Sequence, residues 1–338
     1  MNVVILSRNA QLYSTSRLVL AGRARGHNVR VVDPLDLQLV ISKGRPLLFS
    51  GDQPVTGVDL VIPRIGASIT NYGLAVVRQF DMMGVPVLNT SIAIARSRDK
   101  LRAMQLLTGE NLDVPKTVCA RGSEGLDAAL DYVGGCPAIV KLQQGAQGIG
   151  TMIVETRPAA QSLLETLWAM GQDLILQEYI AESKGRDIRA LVVGGKVVAA
   201  MRRQAKKGEF RSNLHRGGGA VAVTLDRTYK QTAIKAAKAM GLEVCGVDML
   251  EGHDGPKILE INSSPGLEGI ERCSHVDIAD AIMVHAESYV ARRKLSRKTS
   301  DDAATETRAK RIRSDDSVKR LSELAGPPRR KTKPRSSR

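Results

Sequence analysis

Residues 244–266 read VCGVDMLEGHDGPKILEINSSPG. Two short apolar runs, VCGVDML over 244–250 and PKILEIN over 256–262, flank the glycine-containing EGHDG. Apolar runs separated by a turn signal predict a pair of antiparallel strands. Asp248 interrupts the first run, and Glu260 and Asn262 interrupt the second. Alternate residues of a strand share a face and stand about 7 Å apart. Glu260 and Asn262 are therefore expected to point together, with Leu259 and Ile261 turned to the core and Asp248 brought alongside by the turn. Three hard oxygen donors suit magnesium, which takes few protein ligands and completes its shell with phosphates and water. A central glutamate can bridge two ions about 4 Å apart. The polar face of an edge hairpin would read the same way. What favours a site is SSPG directly after Asn262, a rigid loop beside paired carboxylates.

Upstream of this pair, DIRALVVGG and KVVAAMRR predict a hairpin around Gly194-Gly195. RTYKQTAIKAAKAMG, 227–241, predicts a helix closed by Gly241. Between them, RRQAKKGEFRSNLHRGGG, 202–219, holds six Arg or Lys. Arginine forks match phosphate and carboxylate, so this is either an RNA patch or a site for an acyl phosphate and an acidic substrate. Aromatics make up only 3% of the chain. Single-stranded nucleic acid needs stacking platforms, so the second reading is favoured.

Further upstream, CPAIVKL and TMIVE read as strands joined by QQGAQGIG, 143–150. The glycine order is GxxGxG and a strand follows it. That excludes a dinucleotide fingerprint, which opens a helix, and leaves a hairpin tip able to cradle phosphate with backbone N–H groups. Lys141 lies inside the apolar strand just before the loop, and a buried lysine calls for an anionic partner. At the end of LILQEYI, 174–180, Glu178, and later Asp187, are candidates to accept from ribose hydroxyls or an adenine amine. RSRDKLRAMQLLTGE, 96–110, and ETRPAAQSLLETLWAMG, 155–171, read as helices, the latter with Pro158 in its first turn. Before residue 95, NVVIL, VRVVD, DLVIP and PVLN alternate with helix-like STSRLVLAGRARG and YGLAVVRQFDMMG. That alternation predicts a parallel sheet.

The expected fold is therefore α/β, turning to α+β in the C-terminal half. The expected divisions are an N-terminal α/β domain over 1–95, a central subdomain with the glycine-rich loop over 96–180, a C-terminal subdomain with the metal site over 181–291, and a basic disordered tail over 292–338. The formal net charge is +15, but +11 of it lies in the tail, where 17 Lys or Arg face 6 Asp or Glu. A solvated tail and one touching rRNA phosphates are both open readings. No apolar run is long enough for a membrane span. The four cysteines form no CxxC pair, as expected for reduced thiols in a cytoplasmic protein.

Taken together, ILSRN, PRIG, ARSRDKLRAMQLL, VKLQQGAQGIG, LQEYI, FRSNLHRGG, GVDML and EINSSPGLEGIE resemble the ATP-grasp superfamily. Within it they are most similar to RimK-type ligases, which add glutamate to the C-terminus of the sixth protein of the small ribosomal subunit. The resemblance covers about residues 1–290 and implies an ATP-grasp fold with an N-terminal pre-ATP-grasp domain. It implies ATP contacts at Lys100, Lys141, Glu178, Tyr179, Asp187, Arg211, Ser212 and Asn213. It also implies magnesium or manganese, two ions, on Asp248, Glu260 and Asn262. Lys141, Arg203 and Arg211 are the expected catalytic side chains, the arginines as clamps for an acyl phosphate or incoming glutamate. The partners it implies are L-glutamate and the ribosomal protein tail; ribosome or rRNA contact through the basic tail and a homo-oligomer stay open, and no membrane is expected. The stretch MRRQAKK, with Arg202, Gln204 and Lys207, departs from the family's charge order. It leaves open a ligase for a small molecule or another carrier protein. A non-catalytic ribosome- or RNA-binding protein is the reading from another class.

Overall fold

The computed structural model describes residues 1–44, 46–143, 150–206, 208–210 and 217–295. The N-terminal layers run β1 (Asn2–Leu6), α1 (Tyr13–Ala24), β2 (Asn28–Val32), β3 (Leu37–Val40), β4 (Leu47–Ser50), β5 (Gln53–Pro54), β6 (Leu60–Pro63) and α2 (Thr70–Met82). Strands β2-β1-β6 form a parallel sheet and β3-β4-β5 a small antiparallel one. Val3 to Leu6 are buried on both faces, as a helix-covered parallel sheet requires. PVLN, expected as a strand, contributes only a bridge between Val61 and Val87, because the chain turns directly into the next helix.

That helix, α3 (Ser91–Arg98), is followed at once by α4 (Lys100–Gly109). The single helix expected over 96–110 is thus broken at Asp99. Asp99 ends α3 in an extended conformation and its carboxylate caps α4 by accepting from Arg102 N–H. The break sets Arg98 and Lys100 on separate helices.

The central sheet is antiparallel, in the order β7-β10-β8-β9. It is built in chain order by β7 (Thr117–Ala120), α5 (Leu126–Tyr132), β8 (Ala138–Leu142), β9 (Thr151–Val154), α6 (Arg157–Ala169) and β10 (Leu174–Glu178). Strands β8 and β9 pair as the hairpin expected around the glycine-rich loop.

The five-stranded sheet β13-β12-β11-β14-β15 follows. Its elements are β11 (Arg186–Val193), β12 (Lys196–Gln204), β13 (Gly219–Ala222), α7 (Arg227–Met240), β14 (Val244–Gly252) and β15 (Gly255–Asn262), then α8 (Glu268–Ser274). Gly194 and Gly195 have φ of 58° and 74°, the paired positive values of a tight turn whose twist matches its strands. Gly241, at φ 73°, ends α7. A stripe of Ala233, Ala236, Ala237 and Met240 packs this helix on Ile188, Ala190, Val247 and Met249 of the sheet, leaving the other sheet face for polar side chains. Residues 278–287 are helical.

By contact the chain divides into Met1–Glu287 and Ser288–Arg338. The second unit is described only over 288–295, which is helical. The rest of the tail, 296–338, lies outside the described residues, as do most of the glycine-rich loop, Lys207, Arg211, Ser212 and Asn213. No described helix is long and apolar enough to cross a membrane. All four cysteines are free thiols.

Candidate active site

Strand β14 meets β15 through a turn of only His253 and Asp254, tighter than the expected EGHDG. Asp248 pairs with Glu260 and Gly246 with Asn262. Between Asp248 and Met249 the register shifts, because Met249 pairs with Ile258 and Leu259 is the extra residue of a bulge. The bulge decides which way the site faces. Pro256 and Ile258 are buried on even numbers and Ile261 on an odd one. Without the extra residue, Glu260 would share the core face of Ile258. With it, the phase flips and Glu260 and Asn262 leave the core together. Leu259, expected in the core, is only half-buried.

Asp248 is 1% exposed. Arg189, opposite it on β11, grips both carboxylate oxygens at 2.6 Å. Arg203 on β12 does the same for Asp187 and reaches Asp248 Oδ2 at 2.7 Å. Four charges thus alternate across three strands. Burial pushes the Asp248 carboxyl up, but Arg189 and Arg203 outweigh it and hold the pKa well below the carboxylate range. Glu260 differs. Its side chain accepts no hydrogen bond from a described residue, although it faces solvent. The walls around it still desolvate the carboxyl, which with the Asp248 charge raises its pKa against Arg189, Arg203 and Lys141. A carboxylate without a donor, cross-strand from a fully ionised one and two residues from an amide oxygen, has the hard-donor chemistry of a divalent cation site.

Lys141 lies on β8, where its Nζ donates to Gln177 Oε1 at 2.6 Å. Burial pushes its pKa down to about 8, partly offset by the charge of Glu260. Lys100, at the start of α4, donates to Leu142 O at 2.9 Å. Burial lowers its pKa too, again against Glu260. Both lysines therefore stand where β8 enters the glycine-rich loop, and both feel the hairpin's carboxylate. Glu178 is half-buried and accepts from the Lys116 N–H at 3.1 Å. Tyr179 follows it, also half-buried. Asp187, 2% exposed, has both oxygens on Arg203.

The five-stranded sheet thus unites Asp187, Arg203, Asp248, Glu260 and Asn262, and electrostatics join Lys100 and Lys141 to them. Sequence reasoning missed Arg189, although a charged residue two positions from Asp187 in an apolar strand is a detectable signal. It also missed Asn89, whose buried amide donates to Val244 O and Ser263 O and accepts from Glu243 and Val244 N–H. These bonds fix the loop after Asn262.

Family models match nearly all of this first unit. Residues 1–94 match a RimK pre-ATP-grasp domain and 97–285 a RimK-like ATP-grasp domain. A probable alpha-L-glutamate ligase 2 of Shewanella frigidimarina is 52% identical over 287 residues, 85% of this chain and 96% of the relative. A probable alpha-L-glutamate ligase of Thioalkalivibrio sulfidiphilus is 51% identical over 287 residues, 85% and 95% of the two chains. Among solved structures, the ATP-grasp ligase PsnB with a phosphomimetic precursor, magnesium and ADP superposes with TM-score 0.66 at 22% identity, covering 85% of this chain and 97% of that one. A D-alanine–D-alanine ligase of Bacillus anthracis gives TM-score 0.62 at 16% identity, covering 88% and 99%.

Proposed function

The chain belongs to the RimK-like ATP-grasp family, and from that premise we propose that it is an ATP-dependent glutamate ligase. Its acceptor is the C-terminus of the sixth protein of the small ribosomal subunit, activated as an acyl phosphate. The observation that carries this reading is the hairpin face of Asp248, Glu260 and Asn262, coupled to Lys141 and Lys100 beside the glycine-rich loop. The names of the relatives support glutamate as the amino acid joined.

A carboxylate is a poor electrophile. One of its oxygens attacks the γ-phosphorus of ATP, the bond to the β,γ-bridging oxygen breaks, and ADP leaves. The deprotonated amine of glutamate then attacks the carbonyl carbon, phosphate leaves with the C–O bonding pair, the nitrogen gives up one proton to that phosphate, and an amide remains. Lys141 and Lys100 supply fixed positive charge for the phosphates, where it matters most in a water-poor cleft. Asp248, Glu260 and Asn262 would hold magnesium, or manganese, as two ions. When bound, the metal neutralises charge on the transferring phosphoryl group. Arg189 and Arg203 fix the Asp248 carboxylate in its ionised, ligating form. We therefore assign Arg203 a positioning role through Asp187 and Asp248. Arg211, Ser212 and Asn213 complete the nucleotide contacts in this reading, with Glu178, Tyr179 and Asp187 at the adenosine end.

Phosphate release tests the acceptor. The chain is incubated with ATP, magnesium and glutamate, together with either the ribosomal protein or small carboxylates. Turnover with the ribosomal protein supports the proposal. Turnover with a small carboxylate alone replaces it with a small-molecule ligase.

A further inference from the structure

Beside this hairpin stand two arginines, Arg64 and Arg98. Arg64 follows β6, and its Nη2 donates to Pro265 O at 2.6 Å. Arg98 ends α3 and donates to Ile65 O, while its buried Nε has no partner among the described residues. Neither forms an ion pair with a described residue, and the two guanidiniums are close enough to repel one another. The loop that Arg64 grips carries two more unmatched groups, because Ser263 Oγ and Ser264 Oγ are buried without a hydrogen-bond partner among the described residues. Asn262, one residue earlier, is in the candidate metal set, and Arg98 is close enough to feel the charge of Glu260.

Buried hydroxyls and guanidinium N–H groups are normally paired, because each unmatched one forfeits its hydration. Arg64 and the two hydroxyls meet at the Ser263–Pro265 loop, and Arg98, bonded to Ile65 beside Arg64, adds a second cation and an N–H donor; the set fits one ligand class, a carboxylate. Two substrates of the proposed reaction carry one. The acceptor's carboxylate is the group consumed by phosphorylation. Glutamate reacts only through its amine and brings two carboxylates that stay charged throughout. Resting on the ligase reading, we propose that Arg64 and Arg98, with Ser263 and Ser264, form the subsite that holds a carboxylate of the incoming glutamate.

Calorimetric titration of L-glutamate, L-glutamine and L-isoglutamine into the full chain with ADP and magnesium tests it without requiring turnover. The native chain is expected to bind glutamate and to disfavour the amide that replaces the gripped carboxylate. Loss of a charged hydrogen-bonding partner predicts that Arg98→Gln weakens glutamate roughly tenfold to a hundredfold. That amide's penalty should then shrink toward unity, with ADP affinity unchanged. Ser264→Ala serves as a second variant that leaves both guanidiniums in place, and a severalfold weakening of glutamate is expected. Undiminished discrimination in folded Arg98→Gln, or no glutamate binding by the native chain, overturns the subsite. So does a KM increase confined to the acceptor. Phosphate release by the native chain judges the ligase reading separately: turnover with unaltered variants would sink the subsite alone.

Discussion

Asn89→Ala removes one side chain and disturbs both domains that meet at the site. Asn89 is 3% exposed. Its amide makes four hydrogen bonds, at 2.7 and 3.1 Å to the carbonyls of Val244 and Ser263 and at 2.8 and 2.9 Å from the N–H groups of Glu243 and Val244. Truncation strands two donors and two acceptors. Carbonyls tolerate this better than N–H groups, so the two donors dominate. At about 1–3 kcal/mol for each unmatched buried group, the two donors give an expected loss of about 2–6 kcal/mol. Against a total stability of about 5–15 kcal/mol, that is a large fraction. Asn89→Asp keeps the shape but turns an oxygen toward Val244 O and Ser263 O, so it should cost at least as much. Equilibrium guanidinium unfolding followed by circular dichroism gives both values. A loss under about 1 kcal/mol for Asn89→Ala, or an Asp variant more stable than the Ala variant, would refute the assignment of this amide as the tie between the N-terminal domain and the Ser263–Pro265 loop.

Glu260→Gln removes a desolvated carboxylate that accepts no hydrogen bond from a described residue. The variant's thermal midpoint without ligands should therefore not fall, while the rise of a few degrees on adding magnesium and ATP should disappear; a retained rise contradicts the metal assignment. Lys141→Met should weaken a non-hydrolysable ATP analogue roughly tenfold to a hundredfold by loss of a charged hydrogen bond, and unchanged affinity in a titration would count against the phosphate role. The hydrogen bonds of Arg25 are the chief cause holding the Glu287 carboxyl below its usual range. Burial pushes the Asp277 carboxyl up, but the Asp280 N–H and Arg17 outweigh it and hold it low. A folded pKa below the unfolded one gives stability that is present above about pH 4 and lost as pH falls through the folded value. Replacing Arg17 and Arg25 by Ala should raise the acid-unfolding midpoint, and an unmoved midpoint would remove these pairs from the acid response.

Much of the frame was legible because turn and cap chemistry is local. Gly194-Gly195, Gly241 and Pro158 announce their turn, helix end and helix start without reference to the rest of the chain. The asparagine and two carboxylates of the hairpin were legible as unusual residues in apolar strands. What was not legible depends on pairing. The bulge at Leu259 exists only against Asp248 and Met249, so sequence alternation alone could not say why Ile258 and Ile261 both face inward. Asn89 belongs to no periodic pattern, and its four partners lie more than 150 residues away. Asp99 did carry a signal, being a good helix cap, but the apolar spacing on either side of it reads as one helix. Arg203 looked like a free clamp because its partners sit on other strands, Asp187 on the adjacent β11 and Asp248 on β14 beyond it.

Mass spectrometry of the sixth small-subunit ribosomal protein, after incubation with the chain, ATP, magnesium and glutamate, tests the central claim most directly. The account predicts a ladder of masses, each step one glutamate residue, localised to the C-terminal peptide and absent with Asp248→Asn. An unmodified acceptor alongside ATP hydrolysis, or a ladder that persists in Asp248→Asn, would contradict it.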